Sequence, residues 1–387
     1  MNSALQIGAR DAALKYRIGS RSGNQFAAAQ PCTCGCCAAG DLPKRAWRLS
    51  LSLSIAMSLA LVEFMWMAAL VITGVAYPVV TTAAEVNAWP QKPVRLIVPF
   101  PPGGAVDPLA RLLSARLPAQ LGQVFIVDNR PGASGSIGMA LLAKAPADGY
   151  TFGLTFNTQA TNPALIRNLP YDTVRDFSPI MLIGTAPSVV VTPASRSYQN
   201  FADVMQAART RPQTLTYGSI GNGSLGQLAM TLLQNSGGFR LVHVPYKGGG
   251  PMITEVLGGQ IDLGIASVQI LSPLVKAGKL RALGVTGAGR SRTLPDVPSL
   301  AEQGFKGFSV LAWGAVFGPA GIPAPVQKKF HHALVELFSQ PEVRSQLGDQ
   351  LGMDIVSSSP DVLQQFLLAE IARWGKVIRE HEIRGAD

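Results

Sequence analysis

A chain of 387 residues, 47% hydrophobic and only 14% charged, is long enough for two ordinary domains beyond any targeting segment. Its 33 basic and 23 acidic residues give a net charge of +10, but no basic run exceeds Lys328-Lys329 and aromatic residues do not interleave with basic ones, which argues against a nucleic-acid binder. All four cysteines, Cys32, Cys34, Cys36 and Cys37, fall in PCTCGCC, which lacks the distant second pair of a structural zinc site.

Residues 1–43 read as an extension without a core, either disordered or preceding the true start codon. Residues 44–88 read as a signal peptide. Lys44, Arg45 and Arg48 precede a mostly apolar run from Leu49 to Val80, broken by Glu63 and followed by small residues. Val86-Asn87-Ala88 offers a cleavage site before Trp89, Thr82-Ala83-Ala84 offers a second, and Met57 offers an internal start. The run is also long enough to span a bilayer, so an uncleaved anchor is the competing reading. Seven of the 33 basic and four of the 23 acidic residues precede residue 89, which leaves the remainder a net charge of +7, without cysteine, suited to an oxidising compartment and to drawing in small anions.

From residue 89 the pattern is strand, loop, helix. Val94 to Val98 reads as a buried strand, and Asp107 as the cap of a helix with Pro108 in its first turn and Leu109, Leu112, Leu113 and Leu117 on one face. Between them, PFPPGGAV places Gly103, Gly104 and Ala105 at a helix start, where unpaired N–H groups and the helix dipole favour an anion. No Gly-Lys-Ser/Thr follows and G-x-G-x-x-G is absent, so neither nucleotide fingerprint applies. Val124 to Val127 reads as a second strand, NRPGASGSIG as a loop, Met139 to Ala143 as helix, and Tyr150 to Thr155 as a third strand ending in FNTQATNP.

A second unit repeats this grammar. Val189 to Val191 is a strand and Asn200 to Ala208 a helix. Leu215 to Tyr217 runs into GSIGNGSLG and a helix stopped by Gly237-Gly238, and LVHVPYKGGG, a helix to Leu257 and the strand Ile261 to Ala266 follow. The tail from Pro323 is helical, with a last helix capped by Ser359. Strands separated by helices predict parallel sheets with ligands at their carboxyl ends. GASGS, residues 132–136, approaches a nucleophile elbow, but its last glycine is replaced by Ser136 and no base or acid stands in an obvious partner position. His331 and His332 are adjacent on a helix and point apart, and His243 reads as a packed or edge residue, so no metal site or cofactor site is expected.

WPQKPVRLIVPFPPGGAVDPLAR, DNRPGASGSIG, the DGYT turn, YDTVRDFSPI, TYGSIGNGS, VHVPYKGGGP, LPDVPSLAEQG and AEIARWGKVI together resemble the Bug family, the TctC-like periplasmic receptors of tripartite tricarboxylate transporters. The resemblance covers essentially all of residues 89–383. It implies an α/β type II periplasmic binding protein fold, with two lobes joined by a hinge and a ligand cleft between them: residues 89–192 with 311–387 as lobe 1, and 193–310 as lobe 2. It implies a monomeric, non-enzymatic periplasmic receptor for a small carboxylate, without cofactor or metal, gripping its ligand through backbone amides and passing it to TctA/TctB-type membrane subunits. Carried over by position, the contacts are Phe100, Gly103, Gly104, Ala105, Asp107, Asn157, Thr158 and Gln159 in lobe 1, and Ser219, Gly221, Gly223, Ser224 and Tyr246 in lobe 2, with Asp107 ordering its loop rather than touching ligand. Lys247 is either a solvated turn residue or an anion contact. Gln227 and Thr231 stand where the family commonly has His and Glu, and Ile265-Ala266-Ser267 departs from its usual Phe-Asp, which argues against an amino-acid ligand. The alternatives from other classes are an exported hydrolase using Ser134 or Ser224 and a membrane-tethered sensor lobe.

Overall fold

The computed structural model describes residues 89–103 and 106–385. The expected extension and signal or anchor segment lie outside the described residues, as do Gly104 and Ala105. Trp89 fastens the start of the described chain: it is buried, donates from its indole to Gly149 O at 2.9 Å, and meets Phe152 and Phe330 at 6.3 and 6.0 Å.

The first half begins as expected, with β1 (Val94–Val98), α1 (Asp107–Leu121), β2 (Phe125–Asn129), a single turn of 3-10 helix (Ala133–Gly135), α2 (Ser136–Ala143), β3 (Thr151–Thr155) and α3 (Thr158–Leu165). β1 pairs in parallel with β2 on one side and β3 on the other. The second half holds α4 (Phe201–Thr210), β5 (Thr216–Ser219), α5 (Leu225–Gly237), β6 (Val242–Pro245), α6 (Gly249–Leu257), β7 (Leu263–Ser267) and α7 (Val268–Lys276), with β5 parallel to both β6 and β7.

The parallel expectation fails where the halves join. β4 (Phe177–Pro193) is 17 residues long, although only Val189 to Val191 reads as strand in the sequence. Pro179, Gly184 and Pro187 punctuate it like breakers, yet the ladder absorbs them through register shifts beside Pro179 and Gly184. β4 pairs antiparallel with β9 (Leu311–Pro319) along residues 177–187, then with β7 and β8 (Leu280–Val285) along residues 188–193. A short β10 (Asp354–Ile355) also pairs antiparallel with β4, and the strand path runs β2-β1-β3-β9-β4-β7-β5-β6. Thr286 knots the two crossing segments together: its hydroxyl accepts from Ser188 N at 2.9 Å and donates to Val310 O at 2.6 Å, wholly buried.

Side chains alternate between faces as strand geometry requires. Val94, Leu96 and Val98 enter a cluster with α1, α8 (Ala324–Ser339) and α9 (Pro341–Leu351), whereas Ile97 enters another with α2 and α10 (Pro360–Glu380). That second cluster continues under α4 and α5 in the other half. In β4, Val190 joins it, while Val189 and Val191 join a third cluster with α6, α7 and β8. α10 packs against α3, β4 and α5, and so touches both halves.

Candidate ligand-binding cleft

β1 and β3 are neighbours, so their carboxyl ends bring the PFPPGGAV and FNTQATNP loops side by side, with the Phe100 and Phe156 rings 6.3 Å apart. Asp107 is not the helix cap. Val106 occupies that position, and Asp107, in the first turn, turns its carboxylate back to the loop, accepting from Gly103 N at 3.0 Å, Asn129 Nδ2 at 3.1 Å and Arg111 Nε at 2.7 Å. Gly103 has φ +77 with open space around its α-carbon, so the backbone conformation rather than packing demands glycine there. Burial pushes the Asp107 carboxyl upward, but the bonds from Gly103, Arg111 and Asn129 and the Arg111 charge outweigh it and hold the group below the usual carboxylate value.

Asn129, at the end of β2, also donates to Phe100 O at 3.1 Å, so its two amide protons serve both acceptors and it acts as the common brace of the loop. The Asn157 side chain donates to Leu311 O at 3.1 Å and accepts from Trp313 N at 3.3 Å, continuing the β3–β9 ladder after the backbone has turned into α3. Gln159 is fully buried with both amide atoms unpaired, and the Thr155 hydroxyl is likewise buried and unpaired; Thr158 is half-buried.

In the second half, Ser219 ends β5 and Tyr246 follows β6, joined by Tyr246 N donating to Ser219 O at 3.0 Å. Ser224 caps α5 by accepting from Gln227 N at 3.4 Å, and the Gln227 side chain accepts from Gly223 N at 2.7 Å. Gly221 and Gly223 take φ of +140 and +70 in this turn. The N–H groups of Leu225 and Gly226, in the first turn of α5, have no carbonyl of the helix above them. His243 is a functional neighbour that its sequence context hides: its ring stacks on Tyr217 at 4.9 Å and its Nε2 lies 2.7 Å from Ser219 Oγ. Burial pushes His243 down to about 4, so the ring is neutral near pH 7. Ala266 is buried in the third cluster, and Ser267 ends the strand half-exposed.

The Gly223 turn approaches the first half closely: a β-carbon on Gly223 would stand 2.6 Å from Leu165 Cδ1, at the end of α3. Phe100, Gly103, Asp107, Asn157, Thr158 and Gln159 lie at the carboxyl ends of β1 and β3 and the helix starts that follow, and Ser219, Gly221, Gly223, Ser224 and Tyr246 at those of β5 and β6. Among the described residues no group of His, Asp and Glu is placed to hold a metal ion, and no helix is long and apolar enough to cross a membrane.

Residues 109–383 match the family model described as the tripartite tricarboxylate transporter family receptor. BugT of Bordetella pertussis is 33% identical over 315 residues, 80% of this chain and 96% of that protein. A solved R. palustris protein with adipate is 36% identical, with a TM-score of 0.70 over 76% of this chain and 99% of the other. MatC of Rhodopseudomonas palustris with bound malate is 30% identical, with a TM-score of 0.66 over 75% and 100%. A chain with paired strand-end loops, two α/β halves on crossing antiparallel strands and this breadth of similarity belongs to the tripartite tricarboxylate transporter receptor family, the Bug or TctC-like solute-binding proteins.

Proposed function

We propose that this protein is an exported receptor that captures a small organic acid between its two loop systems and presents it to TctA/TctB-type membrane subunits in the periplasm. The observation that carries this reading is the pair of strand-end loops, each opening a helix of more than ten residues, with the Gly223 turn of the second packed against Leu165 at the end of α3. Helix starts favour anions. The one carboxylate in these loops, Asp107, is engaged by Gly103, Asn129 and Arg111, so no acid is left over to answer a ligand ammonium. Adipate and malate, the acids in two related structures, have that chemistry and set the first candidates. The lobes in this reading divide as residues 89–192 with 311–387 and residues 193–310, with the end of β4 pairing into the second sheet.

A hydrolase reading has one feature in its favour, the Ser219–His243 pair. It is weakened because Ser219 is wholly buried and the neighbouring Gly221 and Gly223 N–H groups, which would stabilise an oxyanion, are occupied by Ser219 and Gln227.

The test is a thermal-shift panel of adipate, malate, tricarboxylates, aspartate and glutamate. A ligand at a hundred times its Kd adds about 2.7 kcal/mol, a rise of about 5 °C for a chain of this size. A shift with one or more diacids but not the amino acids is expected; tight aspartate or glutamate binding, or no shift with any acid, overturns the reading.

The lobe contact makes a second prediction. Gly223→Ala places a methyl group against Leu165 at a φ that costs an L-residue about 1 kcal/mol, so affinity for the acid found in the panel falls by about tenfold while the fold persists. Leu165→Ala in the same chain recovers part of that loss, because it reopens the space. Unchanged affinity in Gly223→Ala would show that the contact plays no part in closure over ligand.

A further inference from the structure

Ser219 Oγ has one proton to give and two lone pairs to offer. Around it stand Gly221 N at 3.3 Å, Ser224 Oγ at 3.2 Å, Gly221 O at 3.0 Å and His243 Nε2 at 2.7 Å. Gly221 N–H can only donate and Gly221 O can only accept. If His243 carried its proton on Nε2, three donors would compete for two lone pairs and one of Gly221 N–H and Ser224 O–H would be left over. With Nε2 bare, the Ser219 proton goes to the nearer acceptor, His243, and its lone pairs match the two remaining donors, Gly221 N–H and Ser224 O–H. The count closes for one tautomer alone, with the imidazole proton on Nδ1.

We propose that His243 is a positioning residue of the second loop: its bare Nε2 accepts the hydrogen bond of the Ser219 hydroxyl and so leaves the Ser219 lone pairs to hold the Ser224 hydroxyl inward, shaping the Gly221–Ser224 turn that starts α5. This rests on the receptor reading for its functional consequence but not for its geometry. Three features support it. The Tyr217 stack fixes the plane of the His243 ring. Ser224 uses its oxygen to cap α5 while giving its proton to Ser219, so its rotation is set by both. The Gly221 carbonyl stays paired when the Ser219 proton turns to His243, because it also accepts from Ser224 N at 3.2 Å. A loop ordered in this way offers an acid the N–H groups of the first turn of α5 in a fixed direction, and pre-organised donors bind more tightly than donors that must first be ordered.

The test combines a tautomer measurement with two substitutions in the full chain. Long-range proton–nitrogen spectra of labelled protein, with the His243 signals assigned by their loss in His243→Phe, are expected to show Nδ1 protonated and Nε2 bare. His243→Phe retains a ring against Tyr217 but no acceptor, and is expected to bind adipate about tenfold more weakly with little change in melting temperature. His243→Gln, whose side-chain oxygen reaches the place of Nε2, is expected to stay within about threefold of the parent. A proton on Nε2, or parent-like adipate binding by His243→Phe, overturns the proposal. Should His243→Phe fail to fold, the tautomer and a tenfold loss in His243→Gln are decisive, the latter against the proposal. If the parent binds no acid, the receptor reading fails, and the positioning role stands or falls on the tautomer.

Discussion

Asp107→Ala is expected to cost about 3 kcal/mol of stability and to weaken acid binding by at least about tenfold. The change strips the acceptor from Gly103 N and from the Asn129 amide, and it removes the charge paired with Arg111. Asp107 is only 3% exposed, but Gly103 and Arg111 are exposed and Asn129 is half-buried, so water replaces part of what the donors lose and the cost falls mainly on the ordering of the loop. Asp107→Asn is expected to lose about half as much, since its oxygen still accepts one bond but no longer answers Arg111. Chemical denaturation measures the stability, and titration calorimetry the affinity. A fully stable Asp107→Ala protein with parent affinity would mean that the loop is ordered by something else. The pH dependence has a definite sign. The folded carboxyl sits below its usual value, so its contribution is present above the unfolded pKa of about 4 and disappears as pH falls through the lower folded value. Asp107→Asn therefore loses less stability than the parent on acidification below about pH 4.

Trp374→Ala is expected to be the most damaging change outside the loops, at about 4 kcal/mol, or about 8 °C in melting temperature. Trp374 is fully buried on α10, and its indole donates at 2.8 Å to Glu370 Oε2, which also accepts from Trp313 Nε1 at 3.2 Å. Trp313 lies in β9, the strand whose backbone holds Asn157. Truncation opens a cavity, removes one of the two indole donors to Glu370, and loosens a helix that packs on α3, β4 and α5 together. Glu370→Gln retains an oxygen at the acceptor position and keeps the packing, so it is expected to cost about 1 kcal/mol. Calorimetric melting checks both. A Trp374→Ala protein that melts within about 2 °C of the parent would show that α10 is not a structural clasp.

The local grammar was legible because it is written within a few residues. Gly103 before a leucine-periodic helix, GSIGNGSLG running into the next apolar helix, and Ser359 before Pro360 announce strand ends and helix starts by spacing alone, and α5 and α10 begin where those signals stand. Asp107 shows the limit of such a signal: an acid at a helix start reads as a cap, and it became a brace only because Asn129, 22 residues on, arrives at the same carboxylate. β4 was hidden because prolines and a glycine interrupt its pattern, and its continuity comes from β9, more than a hundred residues later in the chain.

The sequence by itself determined the strand–loop–helix units and the neutral glycine-rich loops at their junctions, because helix starts and apolar periodicity are properties of neighbouring residues. Only the tertiary structure decided that β4 and β9 carry the chain between the halves, that Asn157 pairs with Leu311 across 154 residues, and that His243 meets Ser219. Those contacts depend on strand register, and register is set by the packing of distant segments against one another, which no local pattern encodes.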